Sequence, residues 1–61
     1  MDVGENYLVT YLKDGVEKTE ELNVQGQIFG MFGNQSEYYV LPKNGKEFTI
    51  KSEDIKLTKL V

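Results

Sequence analysis

Hydrophobic and polar positions alternate most legibly over residues 37–51, Glu-Tyr-Tyr-Val-Leu-Pro-Lys-Asn-Gly-Lys-Glu-Phe-Thr-Ile-Lys. Two short β-branched and aromatic runs flank Asn44-Gly45, the dipeptide suited to a two-residue turn with positive φ at both centres. Counting outward from that turn pairs Leu41 with Phe48 and Tyr39 with Ile50. Opposed residues share a face, so Tyr39, Leu41, Phe48 and Ile50 are expected to point inward. Tyr38, Val40, Glu47, Thr49 and Lys51 are then expected to point outward.

The same reading extends along the chain. Asn6-Tyr-Leu-Val-Thr-Tyr-Leu12 predicts a first strand, and Asp14-Gly15 a second two-residue turn. That turn sets Leu12 opposite Glu17, Thr10 opposite Thr19 and Val9 opposite Glu20. The return run over residues 16–22 is much more polar than its partner and predicts an exposed edge strand. Helix is its alternative, with only Val16 and Leu22 to form an apolar side. Over residues 23–33, Val24, Gly26, Ile28, Gly30 and Phe32 fall on one face, and Gln25, Gln27, Phe29 and Met31 on the other. Gly26 and Gly30 predict a sharp bend in that strand. Ser52-Glu-Asp-Ile55 predicts one helical turn with Ser52 as its cap and acidic residues at its positive end. Residues 56–61 predict a last strand. The fold class expected is all-β: a single small barrel, or a strongly bent antiparallel sheet of five to six strands, filling residues 1–61.

Composition narrows the chemistry. The chain has 61 residues and lacks cysteine, histidine, tryptophan and arginine. No disulfide or thiolate metal site is available, no side chain titrates near neutrality unperturbed, and no guanidinium fork can grip a phosphate. Serine catalysis in its usual form has no base to activate Ser36 or Ser52. Glu20-Glu21 would point to opposite faces of a strand and cannot readily share a metal, and the glycines lack phosphate-cradle spacing. The expectation is no enzyme, no cofactor and no metal. The opening residues carry no secretory-signal pattern and no segment has the length of a membrane span, so a cytoplasmic protein with no membrane partner is expected.

Charge is uneven within a net −3. Asp2, Glu5, Asp14, Glu17, Glu20 and Glu21 make the front acidic against Lys13 and Lys18. Lys43, Lys46, Lys51, Lys56 and Lys59 make the back slightly basic.

The order of strand, excursion, meandering strands, helical turn and last strand resembles the Src-homology-3-like small barrels. The resemblance is carried by residues 24–32, 37–41 and 47–51, the 52–55 turn and residues 56–61. It is similar in size and texture to small phage and prophage proteins as well. It implies an SH3-like barrel that docks proteins or nucleic acid. The Ala-Leu-Tyr-Asp-Tyr run and paired tryptophans of the peptide-binding branch have no counterpart here.

Three functions follow as expectations. The first is a protein-interaction module, an adaptor or inhibitor. It presents an outward patch of Phe29, Met31, Tyr38 and Val40, bordered by Tyr7 or Tyr11, or a sheet edge, to another protein or to a second copy of itself. The second is single-stranded nucleic-acid binding through Lys43, Lys46, Lys51, Lys56 and Lys59 with Tyr38 as a stacking platform; an isoelectric point near 4.7 argues against it. The third is sequestration of a small ligand or a host protein.

Overall fold

The computed structural model describes residues 1–61, apart from the side chain of Gln35. Five strands form one antiparallel sheet: β1 (Asn6–Lys13), β2 (Val16–Phe29), β3 (Gln35–Pro42), β4 (Phe48–Lys51) and β5 (Ile55–Leu60). Their order is β4-β3-β2-β1-β5, and a single 3₁₀ turn, Ser52–Asp54, joins β4 to β5. The all-β expectation holds, with five strands.

The first hairpin forms as its turn dictates. Asp14 and Gly15 take φ of 52° and 77°, and pairing runs outward through Lys13↔Val16, Leu12↔Glu17, Thr10↔Thr19 and Val9↔Glu20. The Thr10 and Thr19 hydroxyls meet at 2.8 Å. Residues 16–22 are strand rather than helix: every residue from Val16 to Asn23 faces a β1 partner, and that ladder outweighs the helix propensity of Glu and Lys.

β2 then continues without a break to Phe29. Its pairing with β3 jumps from Val24↔Val40 to Gly26↔Tyr39, leaving Gln25 as an extra residue. Such a bulge bends a strand and resets its alternation. The irregularity thus falls beside Gly26, while Gly30, the other glycine of the expected bend, lies past the end of β2; beyond the bulge the faces are exchanged. The Tyr39 ring lies over Gly26, where an added Cβ would sit 3.5 Å from Cδ2.

The second hairpin departs from its expected register. β3 ends at Pro42 and β4 starts at Phe48, so residues 43–47 form the connection. The pairs are Val40↔Phe48, Tyr39↔Thr49 and Tyr38↔Ile50, a slip of one residue, which turns every β3 side chain to the other face. A two-residue turn at Asn44-Gly45 would have set Lys43 directly opposite Lys46, an unfavourable like-charge pair. In the observed loop Lys43 Nζ reaches Glu21 at 3.4 Å, and Gly45 sits against the Pro42 ring, where a Cβ would come within 3.0 Å of Cγ.

The interior consists of Val9, Tyr11, Leu22, Val24, Tyr38, Val40 and Ile50, with Met1, Tyr7, Phe48 and Ile55 packed against it. Ile50 is inside as expected and Phe48 is half-buried against the interior; Tyr39 and Leu41 are exposed instead. The chain start is tied in as well. The Gly4 N–H donates to the Val24 carbonyl, the Val24 N–H to Glu5, and the Met1 ammonium to the Tyr38 hydroxyl at 2.9 Å.

The helical turn before the last strand is present, with Glu53 and Asp54 in it, but Lys51 holds the N-cap position and no side chain caps it. Ser52 starts the turn itself, and its Oγ is buried with no hydrogen-bond partner among the described residues. β5 returns to pair with β1 from Tyr7↔Leu60 to Tyr11↔Ile55, with a register shift at Thr10/Tyr11.

Candidate interaction surface

The β2–β3 connection is where apolar side chains leave the fold. The last ladder pair is Phe29↔Gln35, after which the Gly33 N–H donates to the Gly30 carbonyl at 3.0 Å and the Gly30 N–H to Asn34. Gly33 takes φ of 78°, a conformation that glycine adopts without a Cβ penalty. Two backbone hydrogen bonds thus close the turn, and the Ser36 hydroxyl adds a bond to the Ile28 carbonyl at 3.3 Å. Between the two glycines stand Met31 and Phe32, 95% and 89% exposed, with Phe29 beside them at 58%. Burying a large apolar side chain is worth roughly 1.5–3 kcal/mol, and at this tip the fold leaves that free energy unused.

Of the residues expected to form a patch, the structure brings Phe29 and Met31 to this tip. Tyr38, Val40 and Tyr11 are not part of a patch but buried, at 7%, 0% and 3% exposed. The register slip takes Tyr38 and Val40 inside, opposite Ile50 and Phe48. Tyr11 faces the interior beside Val9, and its hydroxyl donates to Glu20 Oε1 at 3.1 Å. Burial, then the Glu20 hydrogen bond and charge, push the Tyr11 phenol up to about 12. Phe32, which strict alternation places on the face of Val24 and Ile28, is exposed because β2 ends at Phe29. Gly30 and Gly33, three positions apart around Met31-Phe32, are the sequence signal for a turn there.

The lysines are dispersed. Lys43 is engaged with Glu21, and Lys51 stands across from Glu37 at the end of β4. Lys46 is in the β3–β4 loop, and Lys56 and Lys59 belong to β5, at the opposite margin of the sheet from β4. Tyr38, the expected stacking platform, is in the interior. Glu20 and Glu21 do point apart, to Tyr11 and to Lys43.

A groove of about 340 Å³ runs between the end of β1 and β4, walled by Tyr11, Phe48 and Ile50. Lys13 Nζ lies 5.6 Å above the Phe48 ring, and the Tyr11 and Phe48 rings are 6.1 Å apart. Its rim mixes Lys13 and Lys51 with Asp14, Glu37 and Asp54, so it presents no dominant sign of charge to a ligand. Among the described residues no helix is long and apolar enough to cross a membrane.

No protein-family model matches this chain, and no curated protein or solved structure is found similar to it.

Proposed function

We propose that this protein is a non-enzymatic interaction module, an adaptor or inhibitor that inserts its β2–β3 tip into an apolar recess of a partner protein. The observation that carries this reading is the near-complete exposure of Met31 and Phe32 on an internally hydrogen-bonded turn. A tip already held in shape gives up little conformational entropy on docking. Phe and Met are also enriched where protein interfaces are dry. The partner is a protein rather than a lipid surface because residues 26–36 contain no lysine, and the first charge after the turn is Glu37. Interfacial membrane segments instead draw on cations to meet anionic headgroups.

The likeness to Src-homology-3-like small barrels belongs to the same reading. What supports it is the strand meander followed by a 3₁₀ turn and a β5 that comes back beside β1. Barrels of this kind serve as docking modules, and here the protruding tip would take the role that an aromatic groove has in the peptide-binding branch.

The test is co-purification from the native cells with the intact chain and with the Met31→Ser/Phe32→Ser variant. A partner retained by the first and weakened at least tenfold by the second, with unchanged melting, is the expected outcome. Equal retention by both proteins would refute the reading.

A further inference from the structure

A second surface lies where the sheet stops. β5 borders β1 on one side. On the other side, residues 16–21 of β2 extend past β3, whose pairing with β2 begins at Leu22↔Pro42. Around β1 the sheet is therefore three strands wide, and among the described residues both of its margins lack a strand neighbour. Unpaired margins of this kind are templates for another strand.

The two margins differ in charge. Residues 16–21 carry Glu17, Glu20 and Glu21 against Lys18. Glu21 also meets Lys43 of the β3–β4 loop and Glu20 accepts from the Tyr11 hydroxyl. This margin therefore stays acidic by a smaller excess, with Glu17 its exposed carboxylate, whereas β5 carries Lys56 and Lys59 and no carboxylate side chain. Both are open to solvent: Val16 to Thr19 are exposed, as is every β5 residue after Ile55, with Leu57 at 70% and Leu60 at 60%.

We infer that copies of this chain join edge to edge, the β5 margin of one against the β2 margin of the next. Both strands are antiparallel to β1 and hence parallel to each other. A copy displaced along the sheet sets β5 beside β2 as a parallel pair with matching faces level. Joining like margins would gather glutamates against glutamates or lysines against lysines, which cross-strand pairing disfavours. The acidic and basic margins thus select each other and reject themselves. Such a contact is heterologous: each copy offers a donor margin and an acceptor margin, so the assembly grows as a chain unless its rotation closes a ring. It uses none of the tip residues, so it stands or falls separately from the partner-docking role.

Charge reversal tests this on the intact protein. Sedimentation would follow the wild type, Glu17→Lys/Glu21→Lys and Lys56→Glu/Lys59→Glu, each alone and the two variants mixed. The wild type is expected to rise above its 7.0 kDa chain mass with concentration, and to do so less as salt screens the margins. Each variant alone makes its two margins alike and is expected to associate at least tenfold more weakly. Their equimolar mixture restores complementary margins and is expected to recover association. A wild type that stays at single-chain mass to millimolar concentration would overturn the inference. So would a mixture that fails to recover while both variants keep a β-sheet circular dichroism spectrum, or variants that each associate alone as strongly as the wild type. Glu17→Lys and Lys59→Glu alone replace the double variants if either does not fold, with the same outcomes.

Discussion

The two turns that bracket β2 solve the same backbone problem and carry opposite chemistry. At the β1–β2 end Asp14 and Gly15 take positive φ; at the β2–β3 end Gly33 does, at 78° against 77° for Gly15. A Cβ added at Gly15 or at Gly33 would meet nothing within 4 Å. Each turn therefore depends on glycine for its backbone and not for space. The first turn exposes a carboxylate and a glycine, side chains that water solvates well. The second exposes Met31 and Phe32. Turn geometry accounts for the glycines in both places, but it leaves the apolar pair unexplained, and that surplus is what the proposed docking role uses.

The first way to sharpen this contrast is to remove an interior residue midway between the turns. Leu22 is 1% exposed, and Leu22→Ala is expected to cost about 2–4 kcal/mol in urea unfolding. In so small a domain that is a large share of the total stability. A loss below about 1 kcal/mol would mean that β2 does not hold the interior described here.

Tyr11→Phe comes next, because it deletes the hydroxyl that reaches Glu20 but keeps the ring. The expected cost at neutral pH is roughly 1–2 kcal/mol. The pH dependence has a definite sign. The phenol is pushed up to about 12 in the folded protein, above its ordinary value near 10. Its contribution is therefore complete below about pH 10 and lost as pH rises through about 12. Urea titrations of both proteins should accordingly converge between those pH values; a constant gap up to pH 12 would contradict the burial assigned to Tyr11.

Gly15→Ala and Gly33→Ala test the shared geometry. Each places a Cβ at positive φ without a clash, and each should cost about 1 kcal/mol. A penalty at Gly15 with none at Gly33 would break the equivalence of the turns. The smallest effect belongs to Met31→Ser/Phe32→Ser, expected to change stability by no more than about 0.5 kcal/mol. A larger destabilisation would show that the tip packs on the fold.

The first turn was legible in the sequence and the third was not, for reasons that lie in their neighbours. Beside Asp14-Gly15 the flanking pair is Lys13 and Val16, which tolerate each other, so the whole β1–β2 register followed from the dipeptide. Beside Asn44-Gly45 the flanking pair is Lys43 and Lys46, and Glu21 is within reach of Lys43. Local turn preference lost to charge and to the burial of Tyr38 and Val40. One slipped residue then exchanged the faces of β3, which moved Tyr38 and Val40 out of the expected patch and brought Tyr39 and Leu41 to the surface. Phe29 and Met31 survived because they lie beyond the end of the β2–β3 ladder or at its last pair, where the register of β4 has no effect. The bulge at Gln25 had no residue signature beyond Gly26 beside it. The return of β5 to β1 was anticipated only through the barrel-like order of elements.

Hydroxyl-radical footprinting of the intact protein, read residue by residue, tests most directly the claim that the tip is apolar surface the fold does not use. Met31 and Phe32 are expected to react at the rate of the urea-unfolded chain while Tyr11 and Tyr38 are protected. Protection of Met31 and Phe32 in the single chain, or labelling of Tyr38 as fast as Phe32, would contradict it.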